Sequence, residues 1–349
     1  MRILIIDYVT YLGHRNFNKI HVESLMRLGH FVHIVGRSSA LISIKQTSDY
    51  DKTYLPQWAN RTFPAKTISE RLKQIALLFW IKNKLNVRNY DLVVFLAYDI
   101  MSLCLFRTDV PTLLVNHNNV FQLGSRTKFY LTKHLPANYF HIVLTEETKK
   151  QLSALIGKES VEYVPHGYVQ DNGEAVRPDV LKEGEKFIFC PINSNFDAEQ
   201  IKDIFSSNRF LKFMEENSIR LVIKSSIAGG VNHKNVVSLN KRIPEEEYRY
   251  LLRKAIAVIL PYSSDFKYRS SGMLFECVAM GTPVIATRIA AMEMYLGLIQ
   301  IKLFIDVGEL VESIQYYMEN PRRQVDATIF ETDQYWNRIL DNHLNKNEV

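Results

Sequence analysis

Cysteine is scarce in this 349-residue chain, and the three present, Cys104, Cys190 and Cys277, are far apart and odd in number. They fit reduced thiols in a cytosolic compartment, and no metal-ligand spacing appears among them. Long apolar runs are also missing, since none approaches the ~20 residues needed to span a bilayer. The opening segment Met1-Arg2-Ile3-Leu4-Ile5-Ile6-Asp7 lacks the apolar core and small-residue cleavage site of a secretory leader. The expectation is a protein that is soluble, or at most peripheral to a membrane. No low-complexity tract interrupts the chain, and 47% hydrophobic residues with 14 Gly and 11 Pro mark a globular protein. The length is too great for one ordinary compact domain and suits two.

Charge is unevenly spread. Residues 1–165 hold 21 Lys and Arg against 12 Asp and Glu, whereas residues 166–349 hold 22 against 25. A basic half beside a mildly acidic one suggests that one lobe meets an anionic partner: a phosphorylated acceptor, an anionic membrane or nucleic acid. No recognisable nucleic-acid-binding module accompanies the charge, so nucleic acid is not expected as the partner.

The first half alternates short apolar runs with helix-like stretches. Residues 2–6, 31–35, 92–96, 112–115 and 141–144 read as strands, and residues 17–28 carry apolar side chains at helical spacing before the Gly29 stop. The second half repeats the pattern with strand candidates at 186–190, 220–223, 236–239, 256–260 and 284–286, and helices at 245–253 and 271–280. Such alternation argues for βαβ units and parallel sheets. Val164-Pro165-His166-Gly167-Tyr168 and the polar stretch 170–184 read as the linker. A last amphipathic helix is expected over 331–344 through Tyr335, Trp336, Ile339 and Leu340. Two doubly wound domains facing one another leave a cleft, the usual ligand position for such sheets.

The segment Tyr268-Arg269-Ser270-Ser271-Gly272-Met273-Leu274-Phe275-Glu276 follows one of these strands and opens a helix. Amides at a helix start bind phosphate well, aided by the helix dipole. Gly272 lets backbone approach closely, Ser270 and Ser271 add hydroxyl donors, and Arg269 adds a bidentate cation. Glu276, four residues along, shares the face of Gly272 and offers a carboxylate for two ribose hydroxyls. Gly281 ends the helix and Pro283 opens the next strand. The same residues also fit an ordinary capped helix start with a surface carboxylate.

The run Phe275-Glu276-Cys277-Val278-Ala279-Met280-Gly281-Thr282-Pro283-Val284-Ile285-Ala286-Thr287 resembles the C-terminal signature of the large retaining family of GT-B glycosyltransferases. Gly29-His30-Phe31-Val32, Val164-Pro165-His166-Gly167 and the terminal helix with Trp336 extend the resemblance thinly over nearly the whole chain. It implies a GT-B fold: α/β, with two doubly wound, Rossmann-like parallel-sheet domains facing a cleft and a C-terminal helix crossing back to the first. The implied boundaries are 1–165 for the acceptor side, 166–330 for nucleotide-sugar donor binding, and 331–349 for the returning helix. The family pairs its Glu with another eight residues earlier, where this chain has Tyr268. The local Arg-Ser-Ser-Gly instead resembles a subset of bacterial polysaccharide transferases, so the sugar and the stereochemical outcome stay open.

By position in that frame, Lys224 at a strand end would neutralise the donor diphosphate, and Arg242 and Ile243 would lie at the nucleotide base. Gly13 and His14, in the loop after the first strand, would approach the diphosphate. His117, in Val115-Asn116-His117-Asn118-Asn119, would face the reaction centre, taking the acceptor proton or bonding the transferred sugar; strand-end lysines and histidines are also commonly structural. His166 reads as a hinge residue. Asp49-Tyr50-Asp51 matches the Asp-x-Asp metal motif of another transferase fold but reads as a solvated turn in a polar loop. Arg61, Lys66, Arg71, Lys73, Lys82, Lys84 and Arg88, with the single acid Glu70, surround an apolar centre at residues 75–81. That helix suits an anionic membrane or a lipid-diphosphate acceptor, or equally a core helix with a solvated basic face.

The resemblance therefore implies a metal-independent, hexosyltransferase-like enzyme without a cofactor, using a nucleoside-diphosphate sugar, with UDP the expected carrier. Its acceptor would be glycan, lipid-linked or protein-linked, in bacterial capsule or other glycoconjugate assembly, in the cytoplasm or at the inner membrane face. A GT-B epimerase and a non-catalytic GT-B subunit are the rival readings. Aromatics near the C-terminus, taken as exposed, permit a homodimer.

Overall fold

The computed structural model describes the chain outside residues 11–13, 42–43, 45–46, 65–66, 118–119, 158–159, 169–172, 192–197, 225–230, 232, 240–242, 267–268, 321, 324–325 and 345–349. It divides into two compact units, Met1–Tyr168 with Phe330–Val349, and Val169–Ile329.

In the first unit the order is β1 (Arg2–Asp7), α1 (Arg15–Arg27), β2 (Phe31–Gly36), α2 (Ser38–Leu41), β3 (Tyr50–Tyr54), α3 (Ile68–Lys84) and β4 (Leu92–Ala97). Then come α4 (Ile100–Leu103), β5 (Thr112–Asn116), α5 (Arg126–Lys133), β6 (Tyr139–Val143), α6 (Glu146–Ile156) and β7 (Val161–Tyr163). The second unit holds β8 (Lys186–Cys190), α7 (Ala198–Phe205), α8 (Asn208–Glu216), β9 (Ile219–Ile223), β10 (Val236–Ser238), α9 (Glu245–Lys254) and β11 (Val258–Leu260). It continues with α10 (Gly272–Ala279), β12 (Val284–Thr287), α11 (Ala290–Glu293), β13 (Ile301–Phe304) and α12 (Val307–Glu319). Helix α13 (Thr332–Leu344) follows and belongs to the first unit.

Both sheets are parallel. The first runs β3-β2-β1-β4-β5-β6-β7 and the second β10-β9-β8-β11-β12-β13. Each reverses direction beside its first strand, at β1/β4 and β8/β11, where ligands bind in such sheets. The run Arg2–Asp7 is buried almost throughout because both its faces are covered. Ile3 and Ile5 meet Phe17, Leu25, Trp336 and Ile339 of α1 and α13, while Leu4 and Ile6 meet Leu77 and Ile81 of α3.

Helix α13 is clasped to α1 by named bonds. Trp336 Nε1 donates to His21 Nδ1 at 3.0 Å, and Asp333 takes the Ser24 hydroxyl at 2.6 Å and Arg27 through two nitrogens at 2.8 and 2.7 Å. Trp336 and Phe330 are buried and Tyr335 is half-buried. Of the aromatics expected to be exposed near the C-terminus, Trp336 is thus a core residue of the unit, packed with α1 and the sheet, and Tyr335 packs against that core. Gly167 leaves the unit at φ 73°, where a Cβ would come within 2.7 Å of Ile20 and 2.8 Å of Thr332.

Two further expectations are corrected. Asp49-Tyr50-Asp51 is no solvated loop: Tyr50 is buried and opens edge strand β3, which pairs with β2. The described part of the stretch read as a linker is held against the second unit instead. Arg253 donates to the Gly173 carbonyl at 2.9 Å, Val176 N–H to the Glu246 carbonyl at 3.0 Å, and Leu181 is buried. No helix among the described residues is long and apolar enough to cross a membrane.

Candidate functional site

In the second unit, the loop after β11 leads into α10, beside the strand-order reversal. Ser271 is the N-cap of α10; its hydroxyl accepts from Leu274 N–H at 3.0 Å and is hydrogen-bonded to the Tyr262 hydroxyl. That oxygen is buried and occupied, so Ser271 shapes the helix start rather than extending a donor from it. The N–H groups of Gly272 and Met273, at the first two helical positions, have no preceding turn to accept them, the kind of helix end at which anions can bind. The Arg269 guanidinium lies 6.0 Å from the Phe266 ring centroid, and the Arg269 N–H is anchored to the Phe266 carbonyl at 3.0 Å. Ser270 sits beside Tyr295, whose phenol is pushed up to about 12 by burial.

The far end of α10 is equally fixed. Gly281, at φ 61°, donates to the Val278 carbonyl at 3.1 Å, and Thr282 donates to the Cys277 carbonyl at 2.8 Å. These are the two bonds of a Schellman stop, so the Gly-Thr-Pro turn holds the helix in place between β11 and β12.

Glu276 and Lys224 are brought together by a residue that sequence reasoning did not select. Tyr248 of α9 donates its hydroxyl to Glu276 Oε2 at 2.9 Å, and its ring lies 5.3 Å from the Lys224 ammonium. Burial first, and the Glu276 carboxylate second, push the Tyr248 phenol well above its ordinary range, so it stays a donor. Lys224 continues β9, donating its N–H to the Cys190 carbonyl at 3.0 Å. Ile243 immediately precedes Pro244, the residue before α9, and thus lies at the start of the helix that carries Tyr248. Arg242 and Tyr268 lie outside the described residues.

In the first unit, Gly13, Asn118 and Asn119 lie outside the described residues, but His14 and His117 are placed. Their ring centroids are 4.3 Å apart, and Phe17 packs 4.3 Å from His117 and 4.9 Å from His166. His166 is therefore part of this aromatic group and more than a hinge. His117 Nε2 is buried with no hydrogen-bond partner among the described residues, and burial pushes its imidazole well below the usual range. The His14 imidazole is lowered by burial but opposed by Asp7, whose carboxylate is 3.8 Å from Nδ1; the Thr10 hydroxyl is 3.1 Å from the same nitrogen. Asp7, fully buried at the end of β1, also accepts from Asn18 Nδ2 at 2.9 Å and Thr10 N–H at 3.2 Å.

The fold has counterparts. Residues 206–349 match a family described as glycosyl transferase-like. No curated protein matches the sequence. A UDP-forming α,α-trehalose-phosphate synthase from Burkholderia xenovorans in complex with glucose-6-phosphate superposes with a TM-score of 0.68 at 9% identity, covering 98% of this chain and 100% of that one. A glycosyltransferase involved in lipopolysaccharide biosynthesis gives 0.63 at 14% identity, with 97% and 98% covered. The UDP-GlcNAc 2-epimerase from Methanocaldococcus jannaschii gives 0.63 at 13%, with 97% and 99% covered.

The chain has the GT-B fold. In this GT-B chain two polar groups escaped the sequence. Tyr248 follows three consecutive glutamates and looks like one more residue of an exposed helix. Asp7 ends a strand in which the four residues before it, Ile3–Ile6, are apolar, and that contrast is the signal that marks it.

Proposed function

We propose that the protein is a glycosyltransferase that moves a sugar from a nucleoside diphosphate to an acceptor hydroxyl. The observation that carries this reading is the convergence of Lys224, Tyr248 and Glu276 with the opening of α10, within the segment that matches glycosyl transferase-like proteins. The Gly272 and Met273 amides, Arg269 and Lys224 would receive the charge that builds on the diphosphate as its bond to the anomeric carbon breaks. Glu276, oriented by Tyr248, would accept the two ribose hydroxyls. In the first unit, His14 is better suited than His117 to take the acceptor proton, because a carboxylate stands by to stabilise its imidazolium. His117, held neutral, would bond a sugar hydroxyl through Nε2. A UDP-linked donor without a metal, and a glycan, lipid-linked or protein-linked acceptor in bacterial glycoconjugate assembly, complete the proposal.

The similarity to a UDP-GlcNAc 2-epimerase favours one second reading, epimerisation of the nucleotide sugar itself. A panel of nucleotide sugars tests both. Thermal stabilisation and nucleotide release with one donor, lost in Glu276→Ala and Arg269→Ala, are expected. Conversion of a nucleotide sugar to its epimer without nucleotide release selects the second reading. No response to any nucleotide or nucleotide sugar would sink the donor site.

A further inference from the structure

Helix α3 is apolar on two sides. Its inner side, Leu77, Leu78 and Ile81, packs on the sheet, and Glu70 and Lys73 are buried with it, bonded to each other at 2.6 Å. On the outer side, Ile68, Leu72 and Phe79 are 75%, 60% and 52% exposed. With half-buried Ile75 they fall at i, i+4, i+7 and i+11, one stripe about 16 Å long at the helical rise. Arg71 and Lys82 flank this stripe. Single exposed apolar residues need no explanation, but an aligned row backed by a separate core face does.

The neighbouring helices also leave apolar side chains exposed. Helix α3 packs on α4 and α4 on α5, and Lys82 donates to the Arg107 carbonyl at 3.0 Å. Leu105 and Tyr130 are 52% and 60% exposed there. Besides the buried pair Glu70 and Lys73, α3, α4 and α5 carry six Lys and Arg and no acid. Cations interleaved with outward apolar tips differ from a protein interface, whose core is contiguous and poor in lysine. They match a layer of lipid phosphates over an acyl boundary.

We infer that this face of the first unit rests on an anionic lipid bilayer, with Ile68, Leu72 and Phe79 entering the interfacial layer. The crossover from β3 to β4 begins α3 on the carboxyl-edge side of the sheet, the side that carries His14 and His117. The inference goes beyond the transferase reading and does not depend on it.

Sedimentation of the full chain with phosphatidylglycerol-phosphatidylcholine vesicles, against pure phosphatidylcholine vesicles, tests it. Binding to the anionic vesicles alone is expected, weakened at least about tenfold by Arg71→Gln with Lys82→Gln and Lys84→Gln, given roughly fivefold per cation. A similar loss is expected for Ile68→Ser with Leu72→Ser and Phe79→Ser, with melting unchanged because these side chains face outward. Equal binding by wild type and both variants, or none by wild type, overturns the inference. Self-association of wild type abolished by the serine variant, without vesicle binding, would assign the face to a second copy of the chain and also overturn it. Nucleotide binding is read separately, so failure here leaves the donor site standing, and the reverse.

Discussion

Tyr248 divides its contacts between a carboxylate and an ammonium, and the two are separable. Tyr248→Phe keeps the ring beneath Lys224 but removes the donor to Glu276. A hydrogen bond to a charged group is worth about 1.5–3 kcal/mol, so under the proposed function the variant is expected to bind a nucleotide sugar about tenfold more weakly or worse. Titration calorimetry reads this directly; unchanged affinity would mean that Glu276 needs no orientation. The places of Glu276, Arg269 and Lys224 on or beside a helix start and a strand end were legible in the sequence, because such ends announce themselves locally. Tyr248 was not, since its bond to Glu276 joins positions 28 residues apart on different helices. The pairing of His14 with Asp7 was hidden for the same reason: Asp7 ends a strand and His14 precedes α1, and nothing local in the sequence shows that the carboxylate meets the imidazole.

Helix α10 shows how a short element is held in register. Its length is 8 residues, so its stability comes from its ends and its buried face and not from propensity. Gly281 is in the left-handed region at φ 61°, and an added Cβ would meet no atom of the described residues within 4 Å. Gly281→Ala therefore meets backbone strain alone, and a loss of about 1–2 kcal/mol is expected. Urea denaturation measures it, and a neutral result would remove the Schellman stop as the anchor. The sequence announced this turn, as it did most strands. It hid the edge strands β3, β7 and β13, which are short or carry polar residues on an exposed side, so their patterns resemble loops. Strand β3 is the clearest case: only Tyr50 is buried, and Asp51 and Tyr54 face water.

Across the whole molecule, the first unit concentrates histidines that its interior holds uncharged. Burial pushes His21 down to about 3 and His141 and His166 down to about 4, with His117 also far below its usual range. In the unfolded chain these groups charge near 6.5. Stability is then full above that pH and falls as pH drops from about 6.5 towards 4, because the unfolded state gains protons that the folded state refuses. Each histidine contributes up to about 1.4 kcal/mol per pH unit in that window. Denaturation at pH 7.5, 6 and 5 checks the slope, and His21→Gln, which retains an acceptor for Trp336, is expected to reduce it by one proton. A slope near zero between pH 6 and 5 would contradict the buried neutral cluster. The parallel architecture was legible from strand and helix alternation. The attachment of residues 173–176 to α9 was not, because Gly173 and Val176 are held through backbone groups that sequence does not display.

The clasp between α13 and α1 also sets an order of events during synthesis. Trp336, Ile339 and Leu340 occupy a core whose other members, such as Ile3, Phe17 and Leu25, are made hundreds of residues earlier. At translation speeds of ~5–20 residues per second, roughly 15 to 60 s separate the two sets. Throughout that interval the seat of α13 beside α1 on the first sheet stands uncovered while the second unit is being produced. The domain begun first is finished last, and the nascent chain carries a sticky, unfilled seat on the ribosome until α13 arrives.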